Sequence, residues 1–182
     1  MFFYIILILV ILQRLTEVSI ARRNEKWMLS HGAYEVGTSH YPYMVTMHVS
    51  FFLFLIIEVS TDNSSLPALF PLFFLLFIAV QALRIWCIHS LGPFWNTKII
   101  ILPGAEVVRK GPYTFMRHPN YAVVCLEILL LPLMFQAYFT AFCFTLLNIT
   151  MLSVRIPIEE KALREATNYN KIFKKEEVGT KL

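Results

Sequence analysis

Five apolar blocks constrain this chain more than anything else in it: Phe2–Ile20, Tyr43–Val59, Leu66–Leu91, Pro119–Met134 and Ala137–Val154. A helix that crosses a bilayer needs roughly 20 apolar residues. The apolar residues come in runs rather than at amphipathic spacing, and too little polar chain lies between them to wrap five such segments in water. The blocks therefore predict membrane-spanning helices, because lipid forces every backbone group to find its partner within the segment. The fourth block, 16 residues long, is the shortest. Together with the fifth it predicts a tight, tilted hairpin around Pro132–Gln136. Composition agrees, since 57% of the residues are hydrophobic and the mean hydropathy is +0.61, against roughly 45–50% apolar residues in soluble domains. The expected fold is an all-α integral membrane protein of about five transmembrane helices, forming one domain over residues 1–182. Met1 to Leu12 carries neither a basic leader nor a small-residue cleavage site, so it reads as a retained first helix rather than a signal peptide.

Charge orients this bundle. Arg22, Arg23 and Lys26 follow the first block. Lys98, Arg109, Lys110 and Arg117 follow the third. Arg155, Lys161, Arg164, Lys171, Lys174, Lys175 and Lys181 follow the fifth. These are fourteen of the sixteen lysines and arginines, all on one side of a five-helix arrangement, whereas Ser60–Ser65 and Phe135–Gln136 hold none. The positive-inside rule then puts the N-terminus outside and the C-terminus in the cytoplasm. A net charge of +4 needs no nucleic-acid partner, because basic residues beside anionic lipid account for it.

Between the third and fourth blocks, Asn96-Thr-Lys-Ile-Ile-Ile-Leu and Val107-Val108 flank Pro103-Gly104. Two β-branched runs around such a turn predict a short cytoplasmic hairpin or extended segment before the fourth helix. Pro119 suits the first turn of a helix, where its missing N–H costs nothing, and Pro157 is given the same role ahead of Glu159 and Glu160. Cys87, Cys125 and Cys143 lie apart in or beside apolar helices, and read as small core residues with no disulfide or metal role. The six glycines never occur as Gly-x-Gly, which excludes a soluble Rossmann dinucleotide site. No His-Glu-x-x-His occurs, so no metal centre is indicated.

Two clusters carry the chemistry. Gly111-Pro-Tyr-Thr-Phe-Met-Arg-His-Pro-Asn-Tyr121 sets polar and ring-bearing residues against an apolar helix. His118 and Tyr121, three apart at a helix start, share a face, beside N–H groups that favour an anionic ligand. Arg117, His118 and Tyr121 could each serve as an interfacial anchor, but their concentration favours a site. Arg155, Glu159 and Glu160 form the second cluster. Adjacent helical carboxylates point about 100° apart, so one can face a pocket while the other faces water. An Arg155–Glu159 ion pair is the competing reading, and the residues alone leave both open. Elsewhere Arg14 and Glu17 are expected to pair, and Arg84 and Glu127 to bridge the third and fourth helices. His48, His89 and Glu58 are expected to snorkel from helix ends.

Gly111-Pro112-Tyr113, Arg117-His118-Pro119-Asn120-Tyr121 and Arg155-Ile-x-x-Glu159-Glu160-x-x-Leu163 together resemble the isoprenylcysteine carboxyl methyltransferase family of membrane enzymes. The likeness is strongest from Leu83 to Leu163, leaving 164–182 as a cytoplasmic tail. Arg-His-Pro-x-Tyr by itself also occurs in membrane sterol-reductase-like proteins and phospholipid methyltransferases. The resemblance implies S-adenosylmethionine bound at the cytoplasmic end of the last helices. His118, Tyr121 and Glu160 would hold it, with Glu159, Arg117 and Pro119 also in the binding set. Arg155 would orient the acceptor oxygen. It also implies a lipophilic or lipid-anchored acceptor, of alkylpyrone type in bacterial relatives or a prenylcysteine carboxylate in eukaryotic ones. After Leu163 the chain reads Arg-Glu-Ala-Thr-Asn-Tyr, where the family commonly carries Phe-Gly-x-x-Tyr. The rival readings are an NADPH-dependent membrane reductase, a phospholipid N-methyltransferase and a structural bilayer protein.

Overall fold

The structure, a computed structural model, describes residues 2–61 and 66–173. Lys174, Lys175 and Lys181 of the basic tail, and residues 62–65 of the loop after the second block, lie outside that range. Among the described residues five long helices form: α1 (Phe2–Ser30), α2 (Tyr41–Thr61), α3 (Phe70–Leu91), α4 (Pro119–Leu133) and α5 (Tyr138–Ala166). The described residues also include two short strands, β1 (Tyr34–Val36) and β2 (Ile99–Ile101), and 3-10 turns at Gly92–Phe94 and Gly111–Thr114. Helices α1, α2, α3 and α5 are long and apolar enough to cross a membrane, and α4 is a shorter apolar helix. This is the pattern of an all-α, multi-pass membrane protein. Apolar side chains such as Leu9, Ile57, Leu75 and Phe142 are exposed along these helices, as acyl-chain contact requires.

The chain divides into two compact units. One comprises Met1–Thr38, Leu91–Arg109 and Arg155–Leu182, and the other Ser39–Ser90 and Lys110–Val154.

In the first unit, α1 does not stop where its apolar block does. It continues from Ile20 to Ser30, so Arg22, Arg23 and Lys26 lie on a helix rather than in a loop. No glycine or proline interrupts that stretch, and hydrophobicity is not what makes a helix continue. Gly32, at φ 88°, ends it. Its N–H bonds to the Leu29 carbonyl at 3.1 Å and the Ala33 N–H to the Met28 carbonyl at 3.1 Å, the paired closure of a Schellman turn. Strand β1 then pairs antiparallel with β2, Tyr34 opposite Ile101 and Val36 opposite Ile99. The extended segment is present as expected, but its partner is not. Ile99–Ile101 pairs with residues more than sixty positions earlier, not with Val107-Val108 across the Pro-Gly turn. Val107 instead donates its N–H to the Asn168 side chain at 2.9 Å. Ile99 and Ile101, two apart and so on one face of the strand, pack with Ala162 against Ile158, Leu163 and Ala166 of α5.

That packing explains a second correction. Pro157 does not start a helix; it lies inside α5, which continues unbroken to Ala166. A proline removes one helical hydrogen bond, and the apolar contacts of Ile158, Ala162 and Ala166 hold the chain helical beyond it.

In the second unit, Pro67 and Leu69 form a turn, with the Phe70 N–H on the Pro67 carbonyl at 2.9 Å, so α3 begins later than its apolar block. Arg84 of α3 meets Glu127 of α4 at 2.6 Å, and Gln81 donates to the same carboxylate at 2.8 Å. The expected bridge between these helices is there. The α4–α5 hairpin closes through Gln136 at φ 59°, with the Gln136 N–H on Leu133 and the Ala137 N–H on Pro132. Glu58 does not snorkel. Its carboxylate accepts the N–H groups of Phe139 at 3.0 Å and Thr140 at 2.8 Å, together with the Thr140 hydroxyl. It caps the start of α5, where orphan N–H groups need an acceptor.

Candidate active site

The first cluster is built by a turn that only glycine allows. Gly111 has φ +58°, and a Cβ there would fall 2.7 Å from Trp86 Nε1 and closer still to Ser90 Oγ. The backbone of the 3-10 turn thus lies directly on the end of α3. Thr114 Oγ1 locks it by donating to the Gly111 carbonyl at 2.6 Å. The chain then enters α4 with His118 as the N-cap residue and Pro119 in the first turn. The His118 carbonyl takes the N–H groups of Tyr121 and Ala122 at 3.1 and 3.3 Å. Its imidazole stacks on the Tyr121 ring, with centroids 5.4 Å apart and planes inclined by 26°. The shared face read from the spacing is therefore a stacked pair. Arg117, His118, Asn120 and Tyr121 are half-buried and Pro119 is buried, while Phe115 is 81% exposed.

The second cluster lies on the part of α5 in the first unit. Arg155 is only 4% exposed, and its Nη2 donates to the Thr97 carbonyl, just before β2, at 2.6 Å. Glu160 is clamped at both oxygens, with Arg164 Nη2 at 2.8 Å on Oε2 and the Tyr169 hydroxyl at 3.1 Å on Oε1. Arg164 also lies over the Tyr169 ring, 5.9 Å from its centroid. Tyr169 was not singled out from sequence, although it ends the segment that departs from the family pattern. The tyrosine is kept, and it reaches back nine residues to Glu160.

Lys98 also joins this region without having been singled out as a site residue. Its ammonium contacts Glu25 at 2.8 Å and Glu35 at 3.0 Å. Hydrogen bonds to Glu25 and then Glu35 push the Lys98 pKa above its ordinary 10.5. Among the described residues, no group of three or more His, Cys, Asp or Glu could hold a metal ion. Cys87, Cys125 and Cys143 are unbridged thiols.

The chain is thus a mostly helical, multi-pass membrane protein with a stacked His-Tyr pair at one helix start and a buried arginine on another helix, followed by two carboxylates. Residues 72–165 match the isoprenylcysteine carboxyl methyltransferase (ICMT) family. The chain belongs to that family, and is a membrane methyltransferase. It is 49% identical over 163 residues to the uncharacterized protein YpbQ of Bacillus subtilis (strain 168), covering 90% of this chain and 97% of that one. It is 31% identical over 151 residues to an uncharacterized protein of Haemophilus influenzae (strain ATCC 51907 / DSM 11121 / KW20 / Rd), covering 82% and 88% of the two chains. No solved structure gives a significant match.

Proposed function

We propose that this protein is an S-adenosylmethionine-dependent O-methyltransferase acting at the membrane on a lipophilic acceptor with an acidic oxygen. The observation that carries the reading is the pair of clusters centred in the family-matched segment: His118 stacked on Tyr121, and Glu160 held by Arg164 and, from just beyond that segment, by Tyr169. These groups suit the cofactor. A carboxylate is an acceptor-only group, fitted to the hydroxyl and ammonium donors of S-adenosylmethionine. An aromatic pair offers π faces to a purine or to a sulfonium, and a helix start favours a carboxylate. His118, Tyr121 and Glu160 are assigned to holding the cofactor, with Glu159, Arg117 and Pro119 supporting them. When bound, S-adenosylmethionine supplies an electrophilic methyl group on a positively charged sulfur.

Arg155 is assigned to the acceptor. A guanidinium presents planar, charged donors that never deprotonate near neutral pH, so it can hold an oxyanion in a fixed direction. An acceptor that is already ionised needs no general base, and the protein then contributes chiefly by orienting oxygen and methyl carbon in line. Opposite charges disappear together in such a transfer, so a water-poor setting favours it. An alkylpyrone-type hydroxyl and a prenylcysteine-like carboxylate both fit this chemistry, and the bacterial origin of both relatives favours the hydroxyl. The positive-inside argument puts the N-terminus outside, with the C-terminus and site in the cytoplasm. The functional core is assigned to 83–163 of a single methyltransferase domain.

Calorimetry on the purified protein in detergent, titrated with S-adenosylmethionine, S-adenosylhomocysteine and NADPH, tests the reading. Binding of the first two, lost in Glu160→Ala, is the expected result. Binding of NADPH alone would replace the methyltransferase with a reductase, and no binding by folded protein would leave a structural role.

A further inference from the structure

We propose that Asn96 and Lys98 are positioning residues for Arg155, acting through the carbonyl of Thr97, which lies between them. The proposal rests on the acceptor role assigned to Arg155 above. Past its apolar block, α1 presents Ala21, Asn24 and Glu25 at three- and four-residue spacing, along one edge of the helix. All three hold the segment that leads into β2. Asn24 Nδ2 donates to the carbonyls of Gly92 at 3.1 Å and Trp95 at 2.7 Å. Asn96 Nδ2 donates to the Ala21 carbonyl at 3.2 Å, and its Oδ1 accepts the Lys98 N–H at 3.2 Å. Lys98 Nζ reaches Glu25 and Glu35. Residues 92–98 therefore form a strap fastened to α1 at several points and to β1 at one.

The Thr97 peptide near the end of that strap is the one Arg155 uses. An asparagine that accepts the N–H two residues on closes a local turn and fixes the intervening backbone. Here the intervening residue is Thr97, and the direction of its carbonyl follows. Arg155 Nη2 donates to that carbonyl at 2.6 Å, a short charge-assisted bond in a buried setting, where such bonds are strongest. Arginine carries a long stem with many rotamers, so a fixed acceptor near its tip narrows where the guanidinium lies. Asn96 sets the acceptor from one side and Lys98 from the other.

The test is arginine labelling by phenylglyoxal on the full-length protein in detergent, followed residue by residue by mass spectrometry. Arg84, buried in the other unit and paired with Glu127, reports general loosening. Arg155 should label slowly in the native protein and about tenfold faster in Asn96→Ala and Lys98→Met, as expected when a local fastening is lost. Lys98→Arg, which can still bridge both carboxylates, should restore protection, and Arg84 should stay slow throughout. An Arg155 that stays protected in both disruptive variants overturns the proposal, as does equal acceleration at Arg84. S-adenosylmethionine affinity, measured on the same samples, should be unchanged in all three variants. The labelling pattern without any cofactor binding would uphold the strap and remove the functional reading. Normal cofactor binding with indifferent labelling would do the reverse.

Discussion

Arg84 and Glu127 join α3 to α4 through a 2.6 Å ion pair whose side chains are 9% and 13% exposed, inside segments otherwise made for lipid. Gln81 occupies the other carboxylate oxygen at 2.8 Å. Removing one partner strands a buried charge, which typically costs about 3–5 kcal/mol. Glu127→Ala and Arg84→Ala should therefore lower the thermal midpoint in detergent sharply. The double replacement Arg84→Met with Glu127→Leu should recover much of that loss. Equal damage in single and double variants would show that the pair does not act as a unit.

Gly111→Ala meets two obstacles at once, a positive φ and the side chains of Trp86 and Ser90. A Cβ in the left-handed region costs about 1 kcal/mol before any clash, and the contacts add to it. Thermal melts should place this variant well below Gly104→Ala, whose Cβ meets nothing within 4 Å. Similar melting of the two would mean that the turn relaxes freely.

Gln136 offers a stabilising change. It adopts φ 59° at the end of α4, the conformation that Gly32 supplies at the end of α1. Gln136→Gly should raise stability by up to about 1 kcal/mol, read as an upward shift in the melting midpoint. A downward shift would mean that the glutamine side chain contributes more than its backbone costs.

Glu58 caps α5 with two backbone N–H groups and the Thr140 hydroxyl. Glu58→Ala should cost about 1–2 kcal/mol, and Glu58→Gln less. Hydrogen exchange at Phe139 and Thr140 should quicken in the alanine variant before exchange elsewhere does.

Lys98 predicts an alkaline limb. Glu25 and Glu35 raise its folded pKa above 10.5, so the folded state holds the proton more tightly than the unfolded chain. The resulting stabilisation is complete below the unfolded value and is lost as pH rises through the folded one. Between neutrality and about pH 10, Lys98→Met should melt below the native protein by a constant margin, and the gap should narrow above that. A gap that widens at high pH would contradict the sign.

Much of this architecture can be read from sequence, because a bilayer leaves a backbone little choice. The five apolar blocks became five helices, and Arg14–Glu17 and Arg84–Glu127 are paired at 2.7 and 2.6 Å. His118 and Tyr121 stack, because a three-residue spacing at a helix start dictates a shared face. What escaped had no hydropathy signal. The polar third of α1 continues because nothing breaks it. Pro157 stays helical because distant isoleucines pack on the turns beyond it. The β1–β2 pairing joins segments far apart in sequence, and three-residue strands announce no partner. Tyr169 and Thr97 entered the picture only through contacts, one by a hydroxyl and the other by a carbonyl that any residue possesses.

The strap on α1 also orders events during synthesis. Asn96 follows Ala21 by 75 residues, and Arg155 follows Thr97 by another 58. At ribosomal speeds the second interval alone lasts on the order of several seconds. Among these partners the α1 edge is made before the strap that fastens to it, and Arg155 is made after both. A chain halted before α5 would hold the α1 edge and residues 92–98 that fasten to it, with no arginine yet made to take up the Thr97 carbonyl.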